Sequence, residues 1–439
     1  MELFKYFCLT GKNRYKLIYN DEYIINFINL YDTNYNIYKL MDFLYKKYII
    51  DNHIYNSKFK ITDIILPGYY TCYNIKNNKD FLYKRYQLYQ KLYPCLYNLP
   101  IKQQKNKFKK IGFISSKFFD TSSMHTNINT ILNISKKLFD VYTLFITKPI
   151  DNIGFKLYNN TKSIILNNNY YDMIKQVYEL NFDLLIYCDI GMDNLYFLAC
   201  NRLAPIQITT WGHSETSGIT NIDYYISSKI FEPIENQIYY TEKLILFNSL
   251  GFYYDYIFND INSNDINSNN YILCIQNPKK FTNEFISNLN NIKNIQIIFI
   301  KYNNTDIHIF DKFICDIKIL DFMSQFQMKS IISNAILLLD TEFCGCNTSL
   351  QGFECDKIII TKYNKYLRTR FTKGFYDVMG LNNIPCKTYT DYIDKLIFYY
   401  NNNNERLKIE NIIKKNKYKL FRSNESINEW NNFLNNICY

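Results

Sequence analysis

From Lys109 onward, short apolar runs that end in small or polar residues alternate with stretches of helical period. "KKIGFISS", "DVYTLFIT", "SIILNN", "FDLLIYCDIG" and "PIQITT" have the length and content of buried strands. "MHTNINTILNISKKLF" and "YDMIKQVYELN" carry the helical spacing between them. "IDYYISS" adds a further strand after a Gly/Ser/Thr loop. Residues 254–271, "YDYIFNDINSNDINSNNY", then break the pattern with Asn, Ser and Asp and no apolar period, as a hinge or exposed insertion would. The alternation restarts with the strands "YILCIQN", "IQIIFIKY" and "ILLLDT" and the helices "TNEFISNLNNI" and "FMSQFQMKSIISNA". Strands separated by helices pair in parallel, because a hairpin cannot join them, and the helices then cover both sheet faces. Two such α/β halves leave a cleft at their junction, and ligands of these sheets bind beyond the carboxyl ends of the strands. The expected division is a mostly helical region over 1–105, a first α/β domain over 106–255, a linker over 256–272, and a second α/β domain over 273–439 with terminal helices.

Bulk properties exclude several other classes. The formal charge is +11, from 51 basic and 40 acidic residues, but Lys is scattered rather than gathered on one stripe. A nucleic-acid partner is therefore not expected, although a positive field suits a phosphate-bearing substrate. Twelve Cys form no framework, and Cys344 with Cys346 lacks a second pair at zinc spacing, so reduced thiols and no metal are expected. No stretch approaches a membrane span, and the amino-terminal residues lack a long apolar core of the signal-peptide kind, so the expected compartment is cytoplasmic. No 34-residue helical repeat is evident in the first hundred residues.

The stretch over 346–361, "CNTSLQGFECDKIIIT", sets Asn347, Thr348 and Ser349 between the strand "ILLLDT" and a helix. The first N–H groups of a helix have no internal partner and carry partial positive charge. The triplet therefore reads either as a phosphate cradle or as ordinary capping residues. A P-loop is excluded, because G-x-x-x-x-G-K-[ST] does not occur. Lys279 and Lys280 stand beyond the strand in "CIQNPKKF". Arg368 and Arg370 follow "IIIT". His213 and His125, two of the four His, sit in loops or helix starts of the first half.

The ordered set "IYCDIGMD", "RLAPIQITTWGHSETSG", "IDYYISS", "YTEKLI", "CIQNPKKF", "LLLDTEFCGCNTSLQGFECDKIIIT" and "LRTRFTKGFYDVMGL", over roughly residues 108–400, resembles glycosyltransferase family 41. That is the group of the O-GlcNAc transferase catalytic region and its bacterial tetratricopeptide-linked relatives. The resemblance implies a GT-B architecture of two Rossmann-like domains facing a cleft. It implies an inverting, metal-independent transfer of N-acetylglucosamine or a glucose-like sugar from a UDP-sugar to a protein side chain, without a cofactor. Lys280 matches the lysine that neutralises the leaving diphosphate. Gln276, Asn347, Thr348, Ser349 and Arg370 match the UDP-sugar contacts, and Gln351 stands where relatives usually carry a carboxylate. His213 is a second catalytic candidate, and Asp189 and Thr216 match the acceptor-side wall. Ser122 occupies the place of a relatives' histidine, and His125, one helical turn on, is the substitute candidate. The alternatives are transfer to a glycan or small acceptor, and a catalytically silent family member that acts as a binding module.

Overall fold

The computed structural model describes residues 35–52, 72–74, 76–92, 109–191, 195–258, 270–302 and 307–437. Most of the expected linker, and the helical reading of the first 34 residues, lie outside the described residues. The amino-terminal region supplies α1 (Tyr35–Tyr45), continued by a wider helical turn over Lys46–Ile50, and α2 (Lys79–Leu92).

The first half runs β1 (Lys109–Ser115), α3 (Ser122–Asn133), β2 (Phe139–Phe145), α4 (Asn152–Asn160), β3 (Lys162–Ile165), α5 (Tyr170–Glu179) and β4 (Leu184–Tyr187). A short α6 (Leu195–Ala199) follows, then β5 (Ile206–Thr210), β6 (Tyr224–Ser228) and β7 (Lys243–Phe247). Its strands form one parallel sheet in the order β3-β2-β1-β4-β5-β6-β7. The second half runs β8 (Tyr271–Cys274), α7 (Asn283–Leu289), β9 (Gln296–Lys301), β10 (Ile317–Asp321), α8 (Gln325–Asn334), β11 (Leu337–Leu339), α9 (Asn347–Glu354), β12 (Ile359–Ile360), α10 (Phe371–Met379) and α11 (Tyr389–Asn401). After α12 (Asn403–Asn416) the chain ends in α13 (Asn424–Ile437). The second sheet is also parallel, in the order β10-β9-β8-β11-β12.

Each order reverses beside the first strand of its half, between β1 and β4 and between β8 and β11. Crossovers leave to opposite sides there, which opens a crevice at the carboxyl ends of the strands. Two-residue periodicity splits the first sheet's side chains. Leu184 and Ile186 join the core on one face, with Ile111 and Phe113. Leu185 and Tyr187 join the other, with Ile114 and with Met41, Leu44, Tyr86 and Tyr89 of the amino-terminal helices.

The sequence reading runs the second domain to residue 439, but α13 crosses back. Trp430 and Leu434 bury in the first sheet's core, and Trp430 Nε1 donates to Gly251 O at 2.8 Å. Residues 254–258, expected as part of an exposed hinge, are instead packed, with Tyr254 and Phe258 buried. The α9 carboxylate Glu354 accepts from the N–H groups of Ile257 at 3.0 Å and Phe258 at 2.6 Å. Phe231 of the first half meets Phe371 and Phe375 of the second at centroid distances of 5.1 and 5.5 Å. Full burial of one such ring is worth about 1.5–3 kcal/mol, so this aromatic packing is a substantial part of the contact between the halves.

Candidate functional site

A cleft of about 260 Å³ opens where the two switch points face each other. Its second-half wall is Ile275, Gln276, Asn277, Lys280, Tyr302, Gly345, Cys346, Asn347 and Thr348. The first half brings Ser122, Ser123, Thr126, Trp211 and Gly212, and the amino-terminal region brings Tyr73. Among these lining residues Lys280 is the one Lys or Arg, and none is Asp, Glu or His.

Local chemistry explains how Lys280 points inward. β8 ends at Cys274, and Asn277 followed by Pro278 starts a 3₁₀ turn over Pro278–Lys280, with the Asn277 side chain accepting from Lys279 N. That turn leaves Lys279 exposed and swings Lys280 back over the strand end. Lys280 Nζ donates to Gln276 Oε1 at 2.8 Å and to Cys344 O at 3.4 Å. Buried Gln276 uses its other end to donate from Nε2 to Thr348 Oγ1 at 2.8 Å. One amide thus ties the cation to the mouth of α9.

The mouth is held open from below. Helix α9 starts at Asn347 after Cys346, whose side chain makes no capping bond, so the triplet lies inside the first turn rather than at the cap. Asn347 and Thr348 face the cleft. Asn347 Oδ1 accepts a short hydrogen bond from the buried phenol of Tyr254. Ser349 turns away: its Oγ donates to Gly345 O at 2.6 Å and shares a 2.7 Å bond with Thr372 Oγ1. A Cβ on Gly345 would stand 1.8 Å from Thr348 Oγ1 and 2.5 Å from Gln276 Nε2, so the loop approaches this closely only as glycine.

Asp340, which the sequence reading did not single out, anchors that loop. It follows β11 and is fully buried. Oδ1 accepts from Gly345 N at 3.0 Å, and Oδ2 accepts from Thr372 Oγ1 at 2.5 Å and Thr361 Oγ1 at 3.3 Å. Burial pushes its carboxyl up to about 6, against the pull of Thr372 and Lys280. The neighbouring thiols of Cys344 and Cys346 are pushed up by burial as well, which keeps them protonated. Among the described residues no three His, Cys, Asp or Glu side chains gather as a metal site.

Of the other sequence candidates, Ser122 alone is among the described residues that line this cleft. His213 is buried and packs on Gly191, where a Cβ would come within 3.2 Å of its Nδ1, and its carbonyl accepts from Tyr225 OH at 2.8 Å. Asp189 accepts from Ser115 Oγ at 2.8 Å beneath the ends of β1 and β4. Thr216 donates to Glu242 Oε2 at 2.5 Å and closes its own loop. Gln351 sits on the second turn of α9. Arg370 spans the halves, donating from Nε to Phe231 O at 2.5 Å and from Nη1 to Asn364 O at 3.0 Å. Of the two first-half candidates on α3, Ser122 reaches the cleft and His125 does not. His125 Nε2 lies 2.7 Å from Asp120 Oδ1 and lines a separate cavity with Asn129, Asp255 and Gln325.

Two parallel, doubly wound sheets facing a cleft define the GT-B fold. No protein-family model matches the sequence, and no curated protein matches it. Among solved structures, an O-GlcNAc transferase mutant from Thermobaculum terrenum superposes with a TM-score of 0.72 at 14% identity, covering 91% of this chain and 80% of that one. A glycosyltransferase from Rickettsia africae gives 0.48 at 10% identity over 76% of this chain and 99% of its own. WaaG, a glycosyltransferase of lipopolysaccharide biosynthesis, gives 0.49 at 8% identity over 75% and 99%. Among the described residues no helix is long and apolar enough to cross a membrane.

Proposed function

We propose that the chain is a glycosyltransferase that takes its sugar from a UDP-sugar. The observation that carries this reading is the Lys280–Gln276–Thr348 relay at the switch point of the second sheet. A lysine ammonium, a helix mouth and two hydrogen-bonding side chains converge on one cleft. A diphosphate fits that chemistry, because helix amides and a fixed cation both favour anionic oxygen. Such a cation acts most where charge develops, which in sugar transfer is the leaving diphosphate.

The finer reading is an inverting transfer that uses no metal. The acceptor oxygen attacks the anomeric carbon, the bond from that carbon to the phosphate oxygen breaks, and UDP leaves with the electron pair. Lys280 then supplies the charge compensation. Among the described residues that line the cleft none is a carboxylate or imidazole, and in this reading the acceptor proton passes to the departing phosphate. The O-GlcNAc transferase named among the fold's neighbours makes UDP-N-acetylglucosamine the first donor to try and a protein hydroxyl the first acceptor. That no base stands among the described lining residues favours a second reading, a silent relative that binds the nucleotide sugar without turnover.

Titration calorimetry with UDP, UDP-N-acetylglucosamine, UDP-glucose and GDP separates these readings when paired with a nucleotide-release assay. Binding of the uridine compounds with release supports the enzyme, and binding without release supports the silent relative. Binding of none of them refutes both.

A further inference from the structure

Tyr73 reaches the same cleft from a part of the chain that belongs to neither sheet. Its ring centroid lies 5.7 Å from Lys280 Nζ and 6.0 Å from the ring of Phe343, in the loop after β11. The segment that carries it, residues 72–74 and 76–78, is tied down on two sides. Buried Arg368 of the second half donates from Nε to Asn74 O at 2.8 Å and from Nη2 to Lys76 O at 2.5 Å. Its Nη1 lies 3.6 Å from Glu215 Oε1 of the first half, so one guanidinium joins three parts of the chain. On the other side Tyr38 of α1 accepts from Asn74 Nδ2 at 2.9 Å and donates to Asn78 Oδ1 at 2.6 Å. The α2 helix that follows is seated on the first half. Gly218 adopts φ +74° and lies so close to Leu82 that a Cβ would meet the Leu82 backbone at 2.5 Å.

A guanidinium presents its donors in a fixed fork, and two carbonyls on one segment fill that fork only if the segment holds its position. The anchoring therefore fixes Tyr73 beside the cation. An aromatic ring at that place is suited to the apolar face of a sugar or base.

We propose that the amino-terminal region completes the donor site, with Tyr73 contacting the bound nucleotide sugar and Arg368 positioning the segment that carries it. This rests on the UDP-sugar reading of the cleft. The test is calorimetry of wild type, Tyr73→Ala and Tyr73→Phe with UDP-N-acetylglucosamine and UDP. Loss of the ring should weaken binding roughly tenfold, and Tyr73→Phe should stay within about twofold of wild type. Wild-type affinity in Tyr73→Ala overturns the proposal while leaving the UDP-sugar reading intact. Failure of wild type to bind either compound overturns both. A ligand-free readout tests the anchor. Arg368→Lys keeps the charge but loses the fork, so alkylation of buried Cys72, followed by peptide mass spectrometry, should quicken by roughly tenfold as the segment opens. A folded Arg368→Lys protein with unchanged Cys72 reactivity overturns the anchoring role.

Discussion

Gln276 accepts a hydrogen bond from Lys280 Nζ at 2.8 Å while donating one of the same length to Thr348 Oγ1. The amide therefore fixes a cation and a helix mouth relative to each other before any ligand arrives. A hydrogen bond to a charged group is worth about 1.5–3 kcal/mol, so Gln276→Ala should weaken UDP binding by about tenfold or more. Calorimetry checks this, and unchanged affinity would mean that the ammonium needs no such tether.

Gly345→Ala should damage the same mouth through sterics alone. The added methyl would collide with Thr348 Oγ1 and Gln276 Nε2, and relief requires movement of the loop or of α9. Overpacking of this kind costs about 1–3 kcal/mol. Thermal unfolding should show that loss together with weaker UDP binding.

Asp340 makes a pH prediction with a definite sign. Its folded-state pKa of about 6 lies above the ordinary 3.8, so between those values the folded protein holds a proton that the unfolded chain has released. Stability from this group is fully present below about pH 4 and declines as pH rises towards 6, by about 3 kcal/mol at most. Buried Glu232 is shifted in the same direction by burial and adds to the trend. Urea unfolding of wild type and Asp340→Asn between pH 4 and 7 isolates the term. The difference between the two proteins should change over this range, and a constant difference contradicts the assignment.

Arg370→Lys should separate stability from binding. The guanidinium joins Phe231 O to Asn364 O and does not line the cleft, so its loss should lower stability by about 1–3 kcal/mol and leave UDP affinity near wild type. A large loss of affinity with normal stability would restore the direct donor contact that the sequence resemblance implies.

The sequence made the buried strands plain and left two edge strands, β7 and β10, obscure. β4, β8 and β11 are buried along their whole length, so they read as unbroken apolar runs. β7 and β10 lie at sheet edges with their side chains partly exposed, and charged residues bound or interrupt the apolar residues of "KLILF" and "IKILD". The site divides in a similar way. Lys280, Asn347 and Thr348 were legible because each follows a strand that ends at the switch point. The inward turn of Ser349, the packing of His213 on Gly191 and the reach of Arg370 to Phe231 O depend on contacts between distant segments, which spacing does not encode. Asp340 had a readable sign, a carboxylate closing the run "LLLD". Tyr73 had none, because its place is set by Arg368 almost three hundred residues away.

The most direct measurement is UDP binding by Lys280→Met, a substitution of similar length that removes the charge. The account predicts that wild type binds UDP and that the variant loses at least about a hundredfold in affinity while unfolding at nearly the same temperature. A folded Lys280→Met protein that binds UDP as wild type does would contradict it.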